Sequence, residues 1–106
     1  MSNMKDREET FERKFIHDEE LKFKAMSRRN KLLGLWAAEK LGKADEDADA
    51  YAREVIKADF EEAGDEDVFR KIRKDFDAAG VQQSDDEIRR MMADLLVKAI
   101  DQVQTQ

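Results

Sequence analysis

Beyond residue 44 the apolar positions fall into stripes with the period of an α-helix. Ala48, Tyr51, Ala52, Val55, Ile56, Phe60 and Ala63 recur at i, i+3, i+4 and i+7, while Arg53, Glu54, Lys57 and Glu61 lie off the stripe. That is the signature of a helix with one buried face. The spacing predicts a helix over 46–63, stopped by Gly64, which can take the left-handed conformation that ends helices. Asp65 is placed to cap a following helix over 66–79, with Val68, Phe69, Ile72, Phe76 and Ala79 on its face and Gly80 at its end. Ser84 and Glu87 then spell a capping box, whose cap is worth about 1 kcal/mol. Ile88, Met91, Met92, Leu95, Leu96, Ala99, Ile100 and Val103 follow at helical spacing and predict a helix over 85–103. Trp36, Val55, Phe60, Phe69, Ile72, Leu95 and Leu96 are the expected shared core.

The N-terminal part has a different pattern. Helix formers run from about Lys5 to Leu41, interrupted only by Gly34, which costs roughly 1 kcal/mol inside a helix. Over 19–41 a broad arc of Leu21, Ala25, Met26, Leu32, Leu33, Trp36 and Ala37 faces the later helices. Phe11 and Phe15 continue that arc, but their neighbours toward Met1 are charged or small. The expectation is therefore a flexible arm over residues 1–18 projecting from a four-helix domain over 19–106. The alternative is that the two rings pack onto the body near Met26.

Composition strengthens the all-α reading. Pro 0 and Gly 4 in 106 residues leave little to interrupt helices. Cys 0 removes disulfides and thiol chemistry, and His 1 removes any multi-histidine metal site or proton relay. No apolar run approaches the ~18 residues of a membrane span, and the first residues lack a signal-peptide core. The expectation is a cytoplasmic protein without membrane insertion. The net charge of -6 is uneven: residues 1–43 carry 11 basic and 8 acidic side chains, and residues 44–106 carry 9 and 18. Lys22, Lys24, Arg28, Arg29 and Lys31 form an acid-free window. Its plain reading is a set of cations lying beside an acidic body. Overall acidity, and the lack of aromatics interleaved for base stacking, argue against nucleic acid.

Motifs for chemistry fail on their spacing. Asp45, Asp47 and Asp49 match the start of a calcium loop, but Ala50 stands where Gly is required and Ile56 where Glu is required. Gly42-Lys43 is followed by Ala44 rather than Ser or Thr, and no Gly stands five residues earlier, so there is no phosphate loop. His17, Asp18, Glu19 and Glu20 are consecutive and on a helix would point apart. The serines have no adjacent base. No enzyme, metal or cofactor is expected.

The runs HDEELKFKAMSRRNKLLGLWAAEKLG, from His17 to Gly42, and YAREVIKADFEEAGDEDVFRKIRKDFDAAGV, from Tyr51 to Val81, resemble the zeta subunit of the alphaproteobacterial F-type ATP synthase. RRNKLLGLWAA, from Arg28 to Ala38, is the most distinctive word. The resemblance implies a four-helix protein that inhibits ATP hydrolysis by the catalytic head, its N-terminal segment entering an interface between catalytic subunits and the rotor. Under that reading Phe11 and Phe15 are apolar anchors. Glu8, Glu9, Glu12, Arg13, Lys14 and His17 are flanking contacts, and Lys22, Arg28 and Arg29 form a secondary basic contact. The free chain is expected to be a monomer. Two other readings stand beside it: a non-inhibitory helical interaction module, and a nucleotide binder using Arg28, Arg29 and Arg53 near Trp36 and Tyr51.

Overall fold

The computed structural model describes Thr10, Phe11, Arg13, Ile16 and residues 18–61 and 65–105. Residues 18–61 and 65–105 carry four helices, α1 (Glu19–Lys40), α2 (Asp45–Ala58), α3 (Glu66–Ala79) and α4 (Asp85–Gln104), and Thr10, Phe11 and Arg13 are also helical. There is no strand among the described residues. The fold is all-α, as the pattern predicts.

Each helix begins and ends for a local reason. Asp18 caps α1, its carboxylate accepting from the Glu20 N–H at 2.8 Å and the Leu21 N–H at 3.2 Å. Ser84 and Glu87 complete their box on α4: the Glu87 N–H donates to Ser84 Oγ at 3.1 Å and the Ser84 N–H to Glu87 Oε1 at 2.8 Å. Gly80 ends α3 at φ 73°, and the Val81 N–H returns to the Phe76 carbonyl at 2.9 Å. A Cβ at such a φ is strained, so glycine suits this stop. Asp65 stands at the start of α3 but its side chain makes no cap bond. Its carboxylate is held by Arg29 instead.

α2 ends five residues short of the predicted 63. Asp59 follows it as the C-cap, and Phe60 and Glu61 make tight turns back to the Lys57 and Ala58 carbonyls. Phe60 therefore leaves the stripe and is 65% exposed, so its expected place in the core is corrected. Tertiary bonds supply the reason. Asn30 on α1 donates to Asp59 at 2.9 Å, and Arg29 to Asp65 at 2.7 Å, tying both described ends of the α2–α3 connection to α1. Gly64, the expected stop, lies outside the described residues.

α1 is the central element and runs unbroken through Gly34. A Cβ on Gly34 would sit 2.5 Å from the Ala52 Cα, so the glycine lets α1 and α2 cross backbone to backbone. Two hydrophobic clusters flank that crossing. The larger joins Leu33, Ala37 and Ala38 of α1 to Tyr51, Val55, Val68, Phe69, Ile72, Phe76, Ile88 and Met92, with Trp36 and Leu95 partly buried against it. The smaller joins Ala25 and Met26 of α1 to Leu96, Ile100 and Val103 of α4, with Phe11 and Ile16.

Candidate partner-binding site

The second cluster changes the picture of the N-terminal segment. Phe11 is 3% exposed and Ile16 is 2% exposed, both in the seat formed by α1 and the end of α4. The Ile16 N–H closes the local turn onto the Phe11 carbonyl at 2.9 Å. The Lys22 ammonium lies 5.8 Å from the centre of the Phe11 ring, within cation–π range. Phe11 thus has an apolar seat, although its neighbours toward Met1 in the sequence are charged or small. The face of α4 around Ile100 supplies the apolar neighbours that the nearby sequence does not. Packing near Met26, the alternative reading, is what the structure has for this ring. Arg13 is exposed. Glu8, Glu9, Glu12, Lys14, Phe15 and His17 lie outside the described residues.

The basic window divides by direction. Arg29 is 1% exposed, its Nε donating to Asn30 Oδ1 at 2.8 Å and its two terminal nitrogens donating to Asp65 at 2.7 and 3.4 Å. A buried guanidinium held bidentately by a carboxylate is a structural clamp, so Arg29 is not on offer as a surface contact. Lys22 pairs with Glu19 at 3.2 Å. Arg28 donates to the neutral Gln102 at 3.3 Å. Lys24 likewise pairs within its own helix, with Glu20 at 3.7 Å, so of this window only Arg29 is seen to hold a carboxylate of the acidic body.

The residues suggested for nucleotide phosphates are not gathered. Trp36 packs edge-on against Phe76 at 5.7 Å, and the Tyr51 hydroxyl donates to Asp75 at 2.8 Å. Burial, and then the Asp75 carboxylate, push the Tyr51 phenol well above its usual value, so it remains a neutral donor. Lys71 bonds both Glu54 and Asp75, and these bonds outweigh the opposing effect of burial to raise its pKa. The cleft at Tyr51 has Glu54 and Asp75 on its wall against one cation, Lys43, a balance of charge that does not favour a phosphate.

A different surface stands out. Phe23 is 58% exposed and its ring lies 6.1 Å from that of Phe60. The sequence signal was present, because Phe23 falls off the apolar arc of α1 and inside the basic window. Periodicity alone does not say what an off-stripe ring is for.

Comparison with known proteins adds the family. The sequence model of the family described as ATPase inhibitor subunit zeta matches residues 1–102. A solved structure, described as a solution NMR structure of a protein, is similar at 49% identity. It covers 80% of this chain and 96% of its own, with a TM-score of 0.72. Among curated proteins none matches the chain.

Proposed function

Since the chain belongs to the ATPase inhibitor subunit zeta family, an inhibitor family of the F-type ATP synthase, we propose that it blocks ATP hydrolysis by inserting its N-terminal segment, residues 1–18, between catalytic subunits and the rotor. The four-helix domain then stays outside as a plug that keeps the segment from being carried around with the rotor. The protein is a regulator without catalysis of its own, and it works as a monomer on the cytoplasmic side. No helix among the described residues is long and apolar enough to cross a membrane. The family match carries this reading, and it begins at residue 1, so it includes the segment.

The seat of Phe11 adds a step. To reach a crevice, the segment must first withdraw Phe11 and Ile16 from the cleft between α1 and α4. Each ring or branched chain buried this way contributes about 1.5–3 kcal/mol, so release opposes insertion and the crevice must provide at least as much apolar burial. Phe11 then has two alternative homes, one in the free chain and one in the complex, with Phe15 as the second anchor and Glu8, Glu9, Glu12, Arg13, Lys14 and His17 around them. A segment exchanging partners binds with lower net affinity and enters only when the crevice is open.

The test is ATP hydrolysis by the purified synthase head with the full chain and with a chain beginning at Asp18. The full chain inhibits and the shortened one does not. Equal inhibition by both, with the shortened chain shown to be folded by circular dichroism, would place the inhibitory contact in the bundle.

A further inference from the structure

Along α1, Phe23, Ser27, Lys31 and Leu35 lie four residues apart, and Lys24, Arg28 and Leu32 form a parallel row beside them. These residues, with Ile56 of α2 and Val103 of α4, line an open groove of about 590 Å³. The ring of Phe60 is tilted against that of Phe23, 6.1 Å away, and so lies beside the Phe23 end of the groove. From Phe23 to Leu35 the floor runs about 18 Å at 1.5 Å per residue, the length of roughly three helical turns.

The charges of the rim say what would fill the groove. On a chain of net charge -6, the cations here are poorly compensated. Lys24 reaches one exposed carboxylate, Glu20, at 3.7 Å, and Arg28 bonds a neutral amide at 3.3 Å. Lys31 has no ion pair among the described residues. A groove whose wall mixes Lys24, Arg28 and Lys31 with Phe23, Leu32, Leu35, Ile56 and Val103 fits a helix that carries both apolar side chains and Asp or Glu, the helix-in-groove mode of recognition. A membrane-surface helix sinks a projecting apolar face into the acyl boundary, whereas here Leu32, Leu35, Ile56 and Val103 line a groove.

We propose that this groove docks an acidic amphipathic helix of the synthase head, holding the four-helix domain in place while the N-terminal segment acts elsewhere. The proposal rests on the functional reading above and adds a second, separate contact. It assigns the head-binding role within the basic window to Lys24, Arg28 and Lys31, with Phe23 and Phe60 as the aromatic anchors.

Two full-length variants test it, Phe23→Ser with Phe60→Ser and Lys24→Glu with Lys31→Glu. All four residues are exposed, so unchanged circular dichroism and Tm are expected. Against the purified head, each variant should need about tenfold more protein or more for half-maximal inhibition. Inhibition at saturation should be retained, because the segment is intact. Wild-type half-maximal concentrations for both variants would overturn the docking surface and leave the functional reading standing. A wild-type chain that neither binds nor inhibits the head would overturn the functional reading, and the named partner with it. Sedimentation of the wild-type chain as a dimer that the variants dissolve would instead make a second copy the occupant. Loss of binding to anionic phospholipid vesicles, with head binding unchanged, would make it a membrane surface.

Discussion

Gly34 and Arg29 show how one side chain can govern a crossing or a connection. Replacing Gly34 by Ala should help α1 by roughly 1 kcal/mol on propensity alone. The new methyl would meet the Ala52 Cα at 2.5 Å, however, and backbone cannot turn aside as a flexible side chain can. Overpacking of this kind costs about 1–3 kcal/mol, so Gly34→Ala should lower the urea midpoint. A raised midpoint would mean that the helices do not approach so closely. Arg29→Met removes the clamp on Asp65 and leaves Asn30 short of a partner. The expected cost is about 3 kcal/mol, read by chemical denaturation. Met fills much of the same volume, so a loss below ~1 kcal/mol would show that the guanidinium serves packing rather than the connection.

The helices differ in how much of their extent is local. α4 carries its own start, and Ser84→Ala should cost about 1 kcal/mol. The hydrogen bond from the Ser84 backbone, followed by that from its side chain, holds the Glu87 carboxyl below its usual value. A carboxyl depressed in the folded state stabilises it above the unfolded pKa and loses that effect as pH falls through the folded one. The Tm advantage of wild type over Glu87→Gln should therefore be full near neutrality and shrink below about pH 4.5. An advantage constant down to pH 2 would exclude the carboxylate as its source. Leu96 and Leu95 are neighbours with different fates. Leu96 is 4% exposed in the smaller cluster, whereas Leu95 is partly buried against the larger. Leu96→Ala should cost about 2–5 kcal/mol, and Leu95→Ala less.

For the whole chain, the decisive feature is that one seat holds Phe11 when the protein is free. Loosening the seat without touching the segment separates the two homes of that ring. Ile100→Ala should lower Tm, since Ile100 is 0% exposed, and should also increase inhibition per molecule, because release becomes easier. A merely structural role predicts that stability and inhibition fall together. Phe11→Ala should lower both, with about 3 kcal/mol lost from the free fold.

Helix content, the α4 box and the Gly80 stop were legible because each depends on residues within one or two turns. The stripes on α3 and α4 match their buried faces for the same reason, apart from Ala79, which is exposed at the end of α3. Four outcomes lay beyond that range: the early end of α2, the inward turn of Arg29, the exposed Phe23–Phe60 pair and the burial of Phe11. Each depends on a group far away in the chain: Asn30 for Asp59, Asp65 for Arg29, Phe60 for Phe23, and Ile100 for Phe11. A period of 3.6 reports which face of a helix is apolar. It carries no information on which distant surface will cover that face, or on whether two helices approach so closely that only a hydrogen fits between them. Those choices are settled by packing, where burial of one seat must be weighed against every other arrangement of the same chain.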